Sequence, residues 1–143
     1  MRSPVGEIRT AFETALSSVK YNKSSYQFVK ALPKAGIQRY IFINNIDYQN
    51  DWTKDTYIHD CNIDVEVGHE MHETQINYVE VDNIMDKVLR LVCARNALTF
   101  TNFTMYVPCI NVNSFRFLDE NGSKTTIREI ITLAFKLQQN DQI

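Results

Sequence analysis

Apolar positions recur at helical spacing in two stretches of this chain and at strand spacing through most of the rest. Val5, Ile8, Phe12, Ala15, Leu16 and Val19 fall on one stripe of a 3.6-residue period and predict a helix over residues 3–19. Ser3 can cap it and Pro4 suits its first position, where a missing N–H costs nothing. A second stripe of Val81, Ile84, Met85, Val88 and Val92 predicts a helix over 81–96, with Asp86 and Arg90 as an i,i+4 pair on its flank. The run IQRYIFINNI (37–46) is short, β-branched and aromatic, as a central strand is. In TYIHDCNIDVEV (56–67) the alternation is strict. Tyr57, His59, Cys61, Ile63, Val65 and Val67 point one way; Ile58, Asp60, Asn62, Asp64 and Glu66 point the other.

After the second helix the pattern turns wholly to strands, over 98–107, 109–118 and 124–139. The Asn121-Gly122 pair marks a hairpin turn before the last of them. The order is α-β-β-α-β-β-β, which implies an α+β fold: a mostly antiparallel sheet with two helices packed on one face. A single domain is expected over 1–143, made of the helix 1–19, an irregular basic and aromatic loop 20–36 (Tyr21, Tyr26, Phe28), and the sheet plus helix of 37–139. Without a βαβ crossover there is no nucleotide-binding switch point to expect. The last strand exceeds the usual length of roughly 3–10 residues, so it is expected to bend at a bulge or to project and pair outside the domain.

Composition narrows the classes. With 143 residues, 44% hydrophobic and 22% charged, the chain matches a globular protein able to bury its own core. No apolar run approaches the roughly 18 residues of a membrane span, and the N-terminus lacks the apolar region of a signal peptide. Three scattered cysteines (Cys61, Cys93, Cys109) form no disulfide framework and suggest a reducing compartment. Charge is segregated along the chain. Residues 1–40 carry seven cations and two acids, 41–86 one cation and eleven acids, and 87–143 seven cations and four acids. Such segregation can orient like copies head to tail, or it can leave one sheet face acidic and solvated. A sequence pI near 5.9 does not announce a nucleic-acid binder.

The stretch HDCNIDVEVGHEMHE (59–73) holds all three histidines and raises the question of a metal site. His59 and Cys61 share a strand face but lie roughly 6.5–7 Å apart by strand rise. His69 and His72 are one residue short of the i,i+4 spacing that places two zinc ligands on one helical face. A metal-dependent enzyme built on His59, Cys61, His69 and His72 is therefore a second reading. The plainer one is a strand with an inward His and Cys, followed by a polar loop with two exposed histidines. The cysteines fall on or near apolar faces, where free Cys packs as a small hydrophobe. Asp60, Asp64 and Glu66 form a regular ladder, without the unequal environments that paired catalytic carboxylates need. Phe100, Phe103, Tyr106, Phe115 and Phe117 could stack bases in a nucleic-acid-binding adaptor, a third reading. Their neighbours are Thr and Asn rather than Lys and Arg, and Phe115 and Phe117 are expected in the core.

The order helix, loop, YIFINNI, acidic-tipped hairpin, VDNIMDKVLRL and closing strands resembles the tail-terminator or tail-completion proteins of tailed bacteriophages and related ring proteins of the phage neck. The stretch D-W-T-K-D-T-Y and the helix with Met85, Asp86, Lys87 and Val88 carry most of the likeness, which spans residues 5–137. It implies a structural virion subunit, assembled in the host cytoplasm, that forms a ring (hexamer or dodecamer) around the DNA channel at the head–tail junction. It implies no enzymatic activity, no cofactor, no metal and no membrane. The expected partners are copies of itself, neighbouring connector and tail proteins, and DNA passing without sequence-specific contact. The 20–36 loop departs from the pattern in being more basic and aromatic. Trp52, Lys54, Lys124, Arg128 and Lys136 are expected at the subunit interface, and Asp60, Asp64 and Glu66 as an acidic ladder facing the channel.

Overall fold

The computed structural model describes residues 1–31, 38–51 and 56–141. Its elements are α1 (Val5–Leu16), β1 (Lys20–Tyr21), β2 (Ser24–Ser25), β3 (Gln27–Val29), β4 (Arg39–Asn50), β5 (Ile58–His72), α2 (Tyr78–Cys93), β6 (Phe103–Asn121) and β7 (Lys124–Gln139). β1 and β2 form a small antiparallel ladder, with Asn22 at positive φ in its turn. The other five strands make one sheet in the order β3-β4-β5-β7-β6, antiparallel throughout except that β3 runs parallel to β4. This is the α+β class read from the sequence.

The period-2 pattern decides which sheet face the helices cover. On β7, Ile127, Ile131, Leu133, Phe135 and Leu137 are buried and the residues between them are half-exposed. On β5, His59, Cys61, Ile63, Val65, Val67, His69 and Met71 take the same side. The apolar stripes of both helices, Ile8, Phe12 and Leu16 on α1 and Ile84, Met85, Val88 and Val92 on α2, join Cys61, Ile63, Val65, Val67, Ile131, Leu133, Phe135 and Leu137 in one core, and Met71, Val81 and Ile127 form a smaller cluster. Each large aliphatic side chain removed from water there contributes about 2 kcal/mol.

The elements differ from the sequence expectation in five places. The two strands expected at 98–107 and 109–118 are one strand, β6. Pro108 does not end it because β6 lies at the sheet edge and its register shifts between Met105 and Asn113, and bulged edge strands tolerate proline. β5 runs past Gly68 to His72, so His69 is in a strand and fully buried rather than exposed in a loop. Helix α2 begins three residues earlier, capped by the Asn77 side chain, which accepts from the Glu80 N–H at 3.1 Å. The 20–36 segment carries β1, β2 and β3 within its described residues; Tyr26 is buried, and Tyr21 and Phe28 pack on the core. Finally, β7 does not project. It pairs with β5 from Lys124↔His72 to Gln138↔Ile58 and with β6 to Gln139↔Phe103, so its length is absorbed inside the sheet.

The hairpin between β6 and β7 forms where the Asn-Gly pair indicated. Its central residues are Gly122 and Ser123, and only Gly122 has positive φ (65), the pattern of a II′-type turn with glycine first.

Candidate functional site: the open sheet face and its edge

The sheet face away from the helices carries the acidic ladder and most of the cations expected at an interface, and the register brings the two together. Asp60 lies directly opposite Lys136, and their side chains meet at 3.1 Å; Lys136 also reaches Asp51 at 3.6 Å. Asp64 lies opposite Thr132 and accepts its hydroxyl at 2.7 Å. Lys124 pairs with Glu70 at 3.3 Å. The segregated charge of the sequence is therefore folded edge to edge, the acids of β5 against the cations of β7. Trp52 and Lys54 lie outside the described residues.

Glu66 differs from its neighbours on the ladder in being 1% exposed. The cause is Gly68, which sits two residues along, between Tyr40 on β4 and Arg128 on β7. A Cβ at Gly68 would fall inside the Tyr40 ring. With none there, Tyr40 lies across the strand and its hydroxyl donates to Glu66 Oε2 at 2.6 Å, while Arg128 Nη2 donates to Oε1 at 2.9 Å. A buried carboxylate needs donors of this kind to offset its lost hydration. Burial and the carboxylate together push the Tyr40 hydroxyl above its ordinary pKa.

A second polar group is buried on the helix-covered side. Arg39 Nε and the Tyr26 hydroxyl both donate to Glu80 Oε2 at 2.7 Å, and Tyr26 Oη lies 2.5 Å from His69 Nδ1. One hydroxyl proton serves one acceptor, so the network assigns it to the carboxylate and makes His69 Nδ1–H the donor to Tyr26. His69 Nε2 is then a buried lone pair without a partner. Burial pushes the His69 pKa down to about 4. Burial alone would raise Glu80, but the hydrogen bonds from Arg39 and Tyr26 outweigh it and hold the carboxyl below its ordinary value.

The four residues weighed as metal ligands do not converge. His59 is buried near one end of β5, with Nδ1 donating to Asn50 Oδ1 at 2.9 Å and its ring set edge-on to Tyr48 and Phe103. Cys61 is buried beside it, and burial pushes its thiol up to about 12, away from thiolate chemistry. His69 is ten residues along the strand, roughly 33 Å by strand rise. His72 is on the opposite face and hydrogen-bonds Thr74. Among the described residues no three His, Cys, Asp or Glu side chains are placed to hold a metal. An open cavity of about 500 Å³ beside the C-terminus of α2 is lined by Arg95, Asn96, Phe100, Tyr106 and Cys109 among others, and contains no carboxylate and no histidine. No described helix is long and apolar enough to cross a membrane.

The feature that sequence reading placed wrongly is β6. Every residue from Ile110 to Glu120 is exposed, on both faces. Tyr106, Ile110, Val112, Phe115, Phe117 and Leu118 are exposed large hydrophobics, with Phe115 at 56% and Phe117 at 44%. These two rings stack on each other at 6.3 Å, and the Arg128 guanidinium sits 6.0 Å from Phe117. They were expected in the core because strand spacing gives the face but not whether anything covers it. The available signal was that β6 follows the second helix and precedes a tight hairpin, so only one side of it can pair with β7.

No protein-family model matches the chain, and no curated protein does. Among solved structures, a chain of the "Virion of native gene transfer agent (GTA) particle" is similar, with 10% identity and a TM-score of 0.59. The alignment covers 94% of this chain and 90% of that one. At this identity the likeness is one of fold, and it extends over nearly the whole of both chains.

Proposed function

We propose that the protein is a structural, non-enzymatic component of a tailed-phage-like virion, a tail-terminator-like subunit that forms a ring around the DNA channel at the head–tail junction. The observation that carries this reading is the end-to-end likeness to a chain of a gene transfer agent virion. The order of elements points the same way, as does the scatter of the chemically capable side chains, which leaves the metal-enzyme reading without a site. Assembly is into a hexamer or dodecamer in the host cytoplasm, next to other connector and tail proteins.

In this reading the open sheet face lines the channel. Asp47, Asp60, Asp64, Glu66, Glu70 and Asp119 stand on it against Lys124, Arg128 and Lys136, six carboxylates to three cations. Asp47 and Asp64 have no ion-pair partner among the described residues. A face of this mild negative balance repels phosphates without holding them, which suits DNA that must pass. Lys124, Arg128 and Lys136 pair with these acids within the subunit and remain the expected contacts to neighbouring copies. Trp52 and Lys54, outside the described residues, are expected at the same subunit interface.

Native mass spectrometry of the purified protein tests the reading. A hexamer or dodecamer without bound metal is the expected result. A monomer, or a protein carrying one tightly held zinc, overturns it.

A further inference from the structure

We infer that Cys93 and Cys109 form a redox-active dithiol, which exchange with a small disulfide, oxidised glutathione, closes into a covalent bond between α2 and β6. Fifteen residues separate the two in the sequence, and it is the fold that brings them together. Cys93 is the last residue of α2 and packs, partly buried, against the main core; Cys109 belongs to that core at 4% exposure, from the covered face of β6. Val92 and Ala94, on either side of Cys93, line the same open cavity as Cys109. The Cys109 thiol is directed at the Cys93 sulfur and donates to it. Cys61, the third cysteine, stands apart on β5: its thiol donates to the His59 carbonyl at 3.5 Å, and its ladder partner Phe135 lies between it and β6.

A disulfide sets its two Cα atoms about 4.4–6.8 Å apart, and the backbone on both sides is suited to that adjustment. Val107 pairs with Lys136 and Ile110 with Ala134, so Pro108 and Cys109 together face the single residue Phe135. That is a bulge, where the ladder is already interrupted and Pro108 has no N–H to give up. On the other side α2 ends at Cys93 itself, and Ala94 is already extended at ψ 148. A bond formed there pulls on a helix end and a strand bulge and leaves the regular parts of both elements as they are.

The two thiols are unequal, which orders the chemistry. The hydrogen bond from Cys109 lowers the Cys93 pKa below the ordinary thiol value, while that same bond and then burial raise Cys109. The thiolate is the attacking form, so Cys93 reacts first. Having lost its proton to solvent, it attacks one sulfur of oxidised glutathione; the glutathione S–S bond breaks, and one glutathione thiolate leaves and takes up a proton. Cys109 then gives up its proton, attacks Cys93 Sγ and expels the second glutathione thiolate, which is protonated in turn. The protein loses two hydrogens and oxidised glutathione becomes two reduced molecules. Arg95, the one charged residue among the described lining of the cavity, suits the carboxylates of that reagent. In reducing surroundings the pair stays a dithiol. On the virion reading the subunit is made in such surroundings and works after release from them, so the bond closes in the finished particle. That timing rests on the virion reading; the exchange does not.

The test incubates the folded, fully reduced protein with excess oxidised glutathione, then alkylates the remaining thiols in urea and reads the intact mass and a non-reducing peptide map. The expected product carries its single alkyl group on Cys61 and yields a peptide pair joined through Cys93 and Cys109. Its thermal midpoint lies about 10 °C above that of the reduced form, the size expected of a cross-link that closes a loop of about 15 residues. Cys109→Ser is expected to stop at the mixed disulfide, with glutathione held on Cys93; Cys109→Ala carries the same arm if the serine unfolds the chain. Cys93→Ser is expected to leave Cys109 unreacted. Three alkylated cysteines after the oxidant, a parent protein that keeps glutathione on Cys93, or a bond joining Cys93 of two copies overturns the inference. None of these readouts depends on subunit number, so this inference and the ring reading fail separately.

Discussion

β5 and β6 flank the same strand, β7, and they treat their side chains in opposite ways. β5 lies inside the sheet and is exposed on neither edge; its carboxylates are held by neighbours, down to a glutamate at 1% exposure held by Tyr40 and Arg128. β6 lies at the edge and leaves a row of large apolar side chains in solvent. The inversion separates two kinds of work. Substitutions along β5 disturb groups that depend on each other inside one subunit and register as lost stability. Substitutions of the exposed apolar side chains of β6 remove little that the isolated subunit relies on, and their effect belongs to whatever covers the edge.

The sharpest break in this contrast is Arg128→Met. Methionine keeps the apolar stem on the sheet face and removes the guanidinium, leaving the Glu66 carboxylate buried with Tyr40 as its remaining partner. Stranding a buried charge costs about 3–5 kcal/mol, and the partial exposure of Arg128 places this case at the low end, about 3 kcal/mol. Urea unfolding of the two proteins measures it. A loss below about 0.5 kcal/mol, the size of an ordinary surface change, would show that the pair is incidental.

How much of this was legible beforehand follows from what side-chain period can and cannot encode. The period-2 pattern of 56–67 placed His59, Cys61, Ile63, Val65 and Val67 on the covered face and Asp60, Asp64 and Glu66 on the open one, as found. The same pattern continues through His69 and Met71, but Gly68 suggested a break; its role as the space that admits Tyr40 depends on a residue 28 positions earlier and leaves no local mark. Asn77 and Glu80, three apart, carried the helix-start signal missed at α2. The opposed charges of 41–86 and 87–143 suggested contacts between copies, because net charge by segment does not say which strands become neighbours. For β6, spacing assigned a face and could not tell an edge strand from a central one.

A smaller effect, again on the β5 side, comes from pH. His69 is held down to about 4 from its ordinary 6.5 by burial, between Tyr26, Glu80, Arg39 and Arg116. With its folded value depressed, the unfolded chain takes up a proton first, so stability is full above about 6.5 and falls as pH drops toward 4. The loss from this group is about 1 kcal/mol at pH 5.5. His59, also lowered by burial, adds in the same direction, and Glu80, held low by Arg39 and Tyr26, adds further loss as pH falls through the carboxylate range. Thermal midpoints of the parent and His69→Gln, taken from pH 7 to pH 4.5, should converge as pH falls. Parallel curves would mean that His69 does not titrate as its surroundings dictate.

The smallest expected effect lies on β6 and is informative for its size. Leu118 pairs across the ladder with Ile127. Ile127 is fully buried against Met71 and Val81, whereas Leu118 is 51% exposed. Truncating a buried aliphatic side chain costs about 2–5 kcal/mol, because transfer and cavity terms add; an exposed one vacates no cavity. Leu118→Ala should therefore shift the unfolding free energy of the monomer by about 0.5 kcal/mol or less. The comparison must be made at a concentration where sedimentation shows only monomer, or any contact between copies would be counted as folding energy. A loss of about 2 kcal/mol under those conditions would place Leu118 in the subunit's own core. A loss that appears only at concentrations where copies associate would place its contribution in a contact between subunits.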